Sequence, residues 1–242
     1  MLEAAIAHEQ IDLVYQPVLD AVTDRMIGAE VLARSAIARD ATSLFRRAHS
    51  ARLDERLSRI VQRKALRCAT VWEGPLRHLE VSINLLPAEA GRPGYERWLL
   101  EEIEAAGIDP KRITLEITEI ALLADRESVG ARLSVLREAG LKIAVDDLGS
   151  GYSSLGYLTT LPLDIVKIDR GLVAKIVGRE HDRILLASLI RLAHELGLKV
   201  VVEGVESPEQ LALIKEWGCD RYQGFLVSEP LTHHELTLFA GA

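Results

Sequence analysis

The sequence has few of the features that mark secreted, zinc-binding or membrane proteins. Its two cysteines, Cys68 and Cys219, lie far apart and belong to no CxxC pair, which argues against a disulfide framework and a zinc ribbon. No apolar run approaches the roughly 18 residues that span a bilayer, and the N-terminus lacks the basic segment of a signal peptide. We therefore expect a chain without a membrane span that works in the cytoplasm.

The sequence is also short of positive charge. It has 29 Lys and Arg residues against 36 Asp and Glu residues, a formal net charge of −7. Affinity for nucleic-acid polymers comes from cationic contacts to phosphate, so such a polymer is a poor candidate partner. A small phosphate substrate held through bound metal cations is compatible with this charge. The sequence has neither a glycine-rich phosphate loop nor a Ser nucleophile elbow.

The remaining pattern alternates strands with helices. Hydrophobic residues make up 48% of the chain, enough for one large core. Strands separated by helices indicate a mainly parallel sheet, and about seven or eight strands in a chain of this length favour a barrel. The first two strands are joined by a short turn and therefore run antiparallel, so we expect a barrel with one irregular strand. The predicted strands cover residues 11–19, 26–33, 79–85, 112–117, 141–145, 164–168, 198–202 and 221–222, and the predicted helices cover residues 2–8, 53–72, 94–106, 128–139, 183–196 and 208–217.

Carboxylate and amide side chains, with one lysine, stand at the end of strand after strand. The C-terminal edge of an α/β barrel is its active face, so these residues are expected to converge. Oxygen ligands suit Mg²⁺ or Mn²⁺, and the adjacent Asp146 and Asp147 could bridge two ions, a known device for phosphodiester hydrolysis. The set comprises Glu30, Asn84, Glu116, Glu119, Asp146, Asp147, Lys167, Asp169, Glu203, Glu206 and Gln223.

Each of these residues has a simpler interpretation when taken singly. An acidic residue after a strand is more often a helix N-cap or a solvated loop residue, and a lysine in a strand can lie at an exposed edge. The segment 148–155, rich in Gly and Ser, is either a flexible connector or a mobile loop that gates the site. The convergence of the whole set favours a metal site.

Several blocks of the sequence resemble, in order, the signature motifs of the EAL domain, a phosphodiesterase that hydrolyses the bacterial second messenger cyclic di-GMP. The resemblance covers nearly the whole chain. The blocks are Val14-Tyr15-Gln16-Pro17, Glu30-Val31-Leu32-Ala33-Arg34, Ser82-Ile83-Asn84-Leu85, Leu115-Glu116-Ile117-Thr118-Glu119, Asp146-Asp147-Leu148-Gly149, Val166-Lys167-Ile168-Asp169, Glu203-Gly204-Val205-Glu206 and Gln223-Gly224-Phe225.

The resemblance implies a fold, a reaction and partners. The fold is a modified TIM (β/α)8 barrel with an antiparallel first strand, here formed by residues 1–242 as a single domain. The reaction opens one phosphodiester of cyclic di-GMP to give linear pGpG, with two Mg²⁺ or Mn²⁺ ions at each site. The partners are cyclic di-GMP, a second copy of the chain in a homodimer, and a sensor or cyclase domain outside this chain.

The resemblance also implies roles for individual residues. Metal ligands are Glu30, Asn84, Glu116 and Asp146 for the first ion, and Asp146 and Asp147 for the second, with Glu203 close by. Lys167 and Glu203 position or deprotonate the attacking water, and Glu119 anchors the loop after Asp147. Substrate contacts and the polar mouth come from Gln16, Arg34, Glu206 and Gln223, and Phe225 is a candidate for stacking on a guanine.

The sequence departs from the family pattern at three places. Val31 stands for the Ala of the name motif, and Leu148 stands for the usual Phe after the Asp pair. Residues 35–53 look shortened and basic, and they lack the family's Trp and prolines. The alternative function is a catalytically silent cyclic di-GMP receptor or a protein-docking domain. Such members usually lose an acidic ligand, whereas every expected position is filled here.

Overall fold

The strands of the chain close into a barrel with helices around it. The structure, a computed structural model, describes residues 2–7, 10–122, 126–149 and 155–241. Within them the strands are β1 (Asp12–Asp20), β2 (Met26–Arg34), β3 (Glu80–Leu85), β4 (Ile113–Thr118), β5 (Lys142–Leu148), β6 (Ile165–Ile168), β7 (Lys199–Val202) and β8 (Arg221–Tyr222). They follow one another around the closed barrel in chain order.

Strand direction confirms the predicted modified barrel. The first strand, β1, pairs antiparallel with both β2 and β8. The other neighbouring strands pair in parallel. The short turn between β1 and β2 forces this reversal, because a parallel pair needs a long crossover connection.

Helices lie in most of the connections between the parallel strands, before β1 and after β8. Among the described residues they are α1 (Leu2–Ala7), α2 (Ala41–Ser50), α3 (Asp54–Thr70), α4 (Pro87–Ala90), α5 (Tyr95–Ala106), α6 (Arg126–Glu138), α7 (Arg170–Val173), α8 (Glu180–Glu195), α9 (Pro208–Glu216) and α10 (His233–Ala240). None of the helices in the described part of the chain combines the length and apolar character needed to cross a membrane.

Along each strand, side chains point alternately outward to the helices and inward to the barrel interior. In β4, Ile113, Leu115 and Ile117 belong to the main core between the barrel and its helices. Thr114 and Glu116 alternate with them and line the barrel interior. A middle layer of the interior is apolar and consists of Val18, Ala144, Ile165 and Val201. These four apolar side chains therefore lie beneath the polar side chains of the C-terminal edge.

The sequence prediction assigned no helix to residues 35–53, but the structure has α2 there. Asp40 caps it by accepting a hydrogen bond from the Ser43 N–H at 2.7 Å, and Ser43 returns the interaction in a capping box. The apolar pattern of α2 is too short to predict a helix, because its buried residues are Leu44 and Ala48. This pair packs with α1 and α3 in a small core beside the barrel.

Candidate active site

The predicted polar residues meet at the C-terminal end of the barrel. Glu30 lies on β2, Glu116 on β4, Asp146 on β5 and Lys167 on β6, and each is buried. Parallel strands bring their carboxyl ends to one edge, so residues more than 100 positions apart become neighbours. The hydrogen bonds and ion pairs described below bring together Glu30, Asn84, Glu116, Asp146, Asp147, Lys167, Glu203 and Gln223.

Lys167 lies at the centre of this group. Of the described carboxylates, its Nζ is 2.6 Å from Glu116, 2.7 Å from Glu203, 3.2 Å from Glu30 and 3.4 Å from Asp146. Burial alone would lower the pKa of Lys167, but the four carboxylates outweigh burial and raise it well above its ordinary value. Lys167 is therefore a permanent ammonium that offsets the repulsion among the carboxylates.

Amide side chains orient the carboxylates around Lys167. Gln223 Nε2 donates to Glu30 at 2.8 Å and to Glu203 at 3.0 Å. Asn84 Nδ2 donates to the other oxygen of Glu30 at 3.3 Å. Gln16, which pairs in register with Glu30 across β1 and β2, donates instead to the Ser228 carbonyl at 3.0 Å. Glu30 is thus held on both oxygens.

Burial and charge set the protonation tendencies of the carboxylates. Burial raises the pKa of Glu116 and of Asp146, and the attraction of Lys167 offsets only part of this effect. Burial likewise raises the pKa of Glu203 to about 8. Burial alone would also raise the pKa of Glu30, but Lys167 and the two amide donors together lower it. Carboxylates that share one site therefore differ in their affinity for protons.

The Asp pair lies near the end of β5, where the strand is irregular and its backbone is strained. Asp147 has a φ of +60°, and its N–H donates to Asp146 Oδ1 at 2.9 Å. Burial, then the neighbouring Asp146, raises the pKa of Asp147. One ligand oxygen each from Asp146, Asp147 and Glu203 lie within 4.8 Å of one another. This all-oxygen donor set fits Mg²⁺ or Mn²⁺ rather than zinc.

Glu119 is buried at the end of β4 and begins a 3-10 turn, Glu119–Leu122. It is not among the described partners of Lys167. Its charge acts on Tyr157, whose pKa is raised first by burial and then by Glu119. Tyr157 belongs to the turn Leu155–Thr159 that follows the Asp pair. Residues 150–154 of the predicted loop lie outside the described residues, so the anchoring role of Glu119 stays a prediction.

A cavity of about 360 Å³, which we call the mouth cavity, opens over the carboxylates. The predicted substrate residues Gln16, Arg34, Glu206 and Gln223 all line it, together with Glu30, Asp147 and Glu203. Its walls also include Arg170 and Phe225, and Phe225 is 60% exposed. Sequence reasoning did not select Arg170, although it directly follows the motif that carries Lys167. Asp169 also lines the mouth cavity, and its side chain caps α7 by accepting a hydrogen bond from the Gly171 N–H.

A second cavity, of about 350 Å³, lies beside the first and is called the side cavity here. It is bounded by β2, β3, α2 and α3, and the predicted metal ligands Glu30 and Asn84 are among its lining residues. Its remaining walls are mostly apolar. Sequence analysis gave no sign of this space, because α2 was not predicted.

Comparison with known proteins assigns the chain to a family. A family model described as EAL domain matches residues 1–230. The chain belongs to the EAL domain family. The cyclic di-GMP phosphodiesterase NbdA of Pseudomonas aeruginosa is similar to this EAL domain, with 33% identity over 237 residues that cover 95% of this chain. The match covers 30% of NbdA.

Solved structures agree with this assignment. PaMucR phosphodiesterase in a c-di-GMP complex superposes with a TM-score of 0.90 at 29% identity, covering 97% of both chains. BlrP1 of Klebsiella pneumoniae, in a manganese and cyclic di-GMP complex, gives a TM-score of 0.82 at 31% identity. That match covers 92% of this chain and 56% of BlrP1. The EAL domain spans about a third of the length of the curated relatives it matches.

Proposed function

We propose that this EAL domain is a metal-dependent phosphodiesterase that hydrolyses cyclic di-GMP to linear pGpG. The observation that carries the proposal is the group of carboxylates around Lys167, beside the oxygens of Asp146, Asp147 and Glu203 that lie within 4.8 Å of one another. The names of NbdA and PaMucR, and the cyclic di-GMP in the PaMucR and BlrP1 complexes, support the choice of substrate.

The donor set provides for two divalent ions, Mg²⁺ or Mn²⁺. Glu30, Asn84, Glu116 and Asp146 would hold one ion, and Asp146 and Asp147, with Glu203 close by, would hold the other. When bound, two such ions polarise the phosphoryl oxygens and make water a better nucleophile.

Glu203 is the proposed general base, and Lys167 positions it. The raised pKa of Lys167 keeps its amine protonated, so Lys167 cannot accept a proton. The Glu203 carboxylate lies in one cluster with Asp146 and Asp147, and a bound divalent cation there would favour its ionised form, which is the form that accepts a proton. Lys167 Nζ and Gln223 Nε2 both contact Glu203 Oε1, at 2.7 Å and 3.0 Å, and fix its orientation.

The mouth cavity supplies the substrate contacts. Arg34 and Gln16 lie on its wall, and the guanidinium of Arg34 suits a phosphate oxygen because its donors form a planar fork. Glu206 and Gln223 complete the polar rim. Glu119 would anchor the loop that follows Asp147.

Glu203→Gln tests the assignment of the base. The substitution keeps the size of the side chain and removes its proton acceptor, so kcat for cyclic di-GMP falls by at least about 100-fold. Glu101→Gln, at an exposed position on α5, is the matched control and keeps wild-type kcat. Circular dichroism verifies the fold of both variants. Wild-type kcat in Glu203→Gln would contradict the assignment, and saturable binding without turnover in the wild type would indicate a receptor.

The proposal extends to the surroundings of the domain. We place it in the cytoplasm, as a homodimer regulated by a sensor or cyclase domain outside this chain. The greater length of the matched relatives supports such further domains. Light scattering of the purified chain tests the dimer, because a monomer at working concentration would contradict it.

A further inference from the structure

Asn84, the proposed metal ligand on β3, lies past the end of the ladder between β2 and β3. The described pairs of these two strands end at Glu30 and Ser82, two residues before Asn84. On its other side, Asn84 pairs in register with Glu116 of β4. The backbone of this ligand is therefore held by its own sheet from one side.

A side chain of α3 contacts the Asn84 backbone in addition. Gln62 Nε2 donates to the Asn84 carbonyl oxygen at 2.7 Å. Gln62 is 1% exposed, and burying an amide costs free energy unless its polar atoms are hydrogen-bonded. Its second polar atom, Oε1, accepts a hydrogen bond from the Tyr95 hydroxyl at 3.1 Å. Both ends of the Gln62 amide are thus engaged, which fixes its orientation.

Tyr95 is a rigid partner for this amide. It is the first residue of α5, is 1% exposed and packs against Trp98, with 5.8 Å between the ring centroids. Burial raises the pKa of Tyr95 well above its ordinary value, so its hydroxyl stays protonated and donates. Neither Gln62 nor Tyr95 lines the mouth cavity or the side cavity. Their route to the site therefore leads through Asn84.

The position of the Asn84 backbone decides where its carboxamide lies. Asn84 Nδ2 donates to Glu30 Oε1 at 3.3 Å, which leaves the carboxamide oxygen Oδ1 to act as a ligand. Mg²⁺ demands near-ideal octahedral geometry, so a small displacement of one ligand oxygen weakens its binding. Groups that orient a metal ligand without touching the ion control metal affinity for this reason.

We propose that Gln62, held by Tyr95, is a positioning residue that fixes the Asn84 backbone and so keeps Asn84 Oδ1 directed at the first metal ion. This inference rests on the proposed function, because it takes Asn84 as a ligand of that ion.

Gln62→Met is the main test, since it keeps the length of the side chain and removes both polar groups. Calorimetric titration with Mn²⁺ alone, without substrate, gives the dissociation constants of the two ions. The constant of the first ion should rise by about tenfold or more, as is typical when a metal ligand loses an orienting partner. The second ion, assigned to Asp146 and Asp147, should bind as in the wild type. Thr70→Val is the matched control on α3, because it removes a hydroxyl that bonds to the Ala106 carbonyl instead, and it keeps both constants.

A double variant separates positioning from general packing. If Gln62 acts through Asn84, Gln62→Met should change Mn²⁺ binding by less than about twofold when it is added to Asn84→Ala. A second loss as large as that of Gln62→Met in the wild-type background would overturn the proposal.

Tyr95→Phe guards against a folding defect in Gln62→Met, because it removes only one hydroxyl. It should weaken binding of the first ion in the same direction. A folded Gln62→Met protein that binds both ions within about twofold of the wild type would overturn the positioning role, and Tyr95→Phe decides by the same criterion if Gln62→Met does not fold. A wild-type protein that binds Mn²⁺ without cleaving cyclic di-GMP would contradict the phosphodiesterase alone, and the comparison of dissociation constants would still decide on Gln62. A wild-type protein that binds no Mn²⁺ would overturn both.

Discussion

At the scale of single residues, Lys167 carries the electrostatic balance of the site. It is 2% exposed and contacts carboxylates on β2, β4 and β5 and at the end of β7. Removing one partner from a buried ionic group leaves the other partners uncompensated, which costs far more than a surface ion pair contributes. The carboxylates of the site therefore depend on a built-in cation, apart from the metal ions proposed above.

We predict that Lys167→Met lowers the free energy of unfolding by about 3–5 kcal/mol in chelator at neutral pH. Millimolar Mg²⁺ should recover part of the loss, because a divalent cation offsets the same carboxylates. Urea denaturation with and without Mg²⁺ measures both effects, with the exposed Lys175→Met as control. A Lys167→Met protein as stable as the wild type in chelator would contradict this account.

Glu89 is a buried carboxyl group outside the catalytic cluster. Burial raises its pKa to about 7, and the contacts with Ser58 and Arg59 offset only part of that rise. The folded state thus binds a proton that the unfolded state has released above about pH 4.5. Stability from this group is complete below pH 4.5 and is lost as pH rises towards 7.

Glu89→Gln should therefore flatten the pH dependence of stability in this window. The difference in unfolding free energy between pH 4.5 and pH 8 should shrink by up to about 3 kcal/mol relative to the wild type. Urea titrations at both pH values measure it, and Glu101→Gln serves as the exposed control. If this difference is the same in Glu89→Gln as in the wild type, Glu89 is ionised in the folded protein at neutral pH.

At the scale of elements, the sequence could predict the barrel because its strands alternate regularly with helices. The observed strand bounds differ from the predicted ones mostly by one or two residues; β5 extends to Leu148, three residues beyond its predicted end. Helix α9 starts with a capping box of Ser207 and Gln210, with Pro208 at the first helical position. Helices α4 and α7 were not predicted, because four residues carry no periodic pattern.

Gly224, just after β8, packs tightly against the backbone of Val205. A Cβ at Gly224 would lie 2.3 Å from both the N and the O atom of Val205, and this backbone also pairs with Gln223 and Leu226. The backbone cannot give way without moving Gln223, which orients Glu30 and Glu203.

Gly224→Ala should cost about 2–3 kcal/mol of stability and lower kcat with it. The control is Gly178→Ala, since a Cβ there meets nothing within 4 Å. That variant should be unchanged or up to about 1 kcal/mol more stable, because alanine restricts the unfolded chain. Thermal unfolding and turnover of both variants give the test, and equal stability of the two would contradict the packing argument.

At the scale of the whole molecule, the barrel interior separates two charged clusters. Glu80 binds Lys142 and Arg221 at the N-terminal end, with 2.8 Å between Arg221 Nη1 and Glu80 Oε2. The apolar middle layer lies between this cluster and the Lys167 cluster. The proposed active site thus lies at the C-terminal edge, where the alternation of strands and helices predicted it.

The composition of the site could be predicted from the sequence more fully than its geometry. The carboxylates of the site were found among the residues at the predicted strand ends. Lys167 was predicted to converge with them. The number of its partners depends on the register between β2, β4, β5 and β6, which no sequence pattern encodes. The side cavity depends on the packing of α2 and α3, so it appears only in the fold.

Incubation of the purified wild-type protein with cyclic di-GMP and Mg²⁺ or Mn²⁺, with and without a chelator, decides whether this domain is a metal-dependent phosphodiesterase. The nucleotides are then separated by chromatography. Linear pGpG should appear, and the chelator should abolish its formation. Formation of pGpG at the same rate in chelator would contradict the metal site, and intact cyclic di-GMP under every condition would contradict the phosphodiesterase itself.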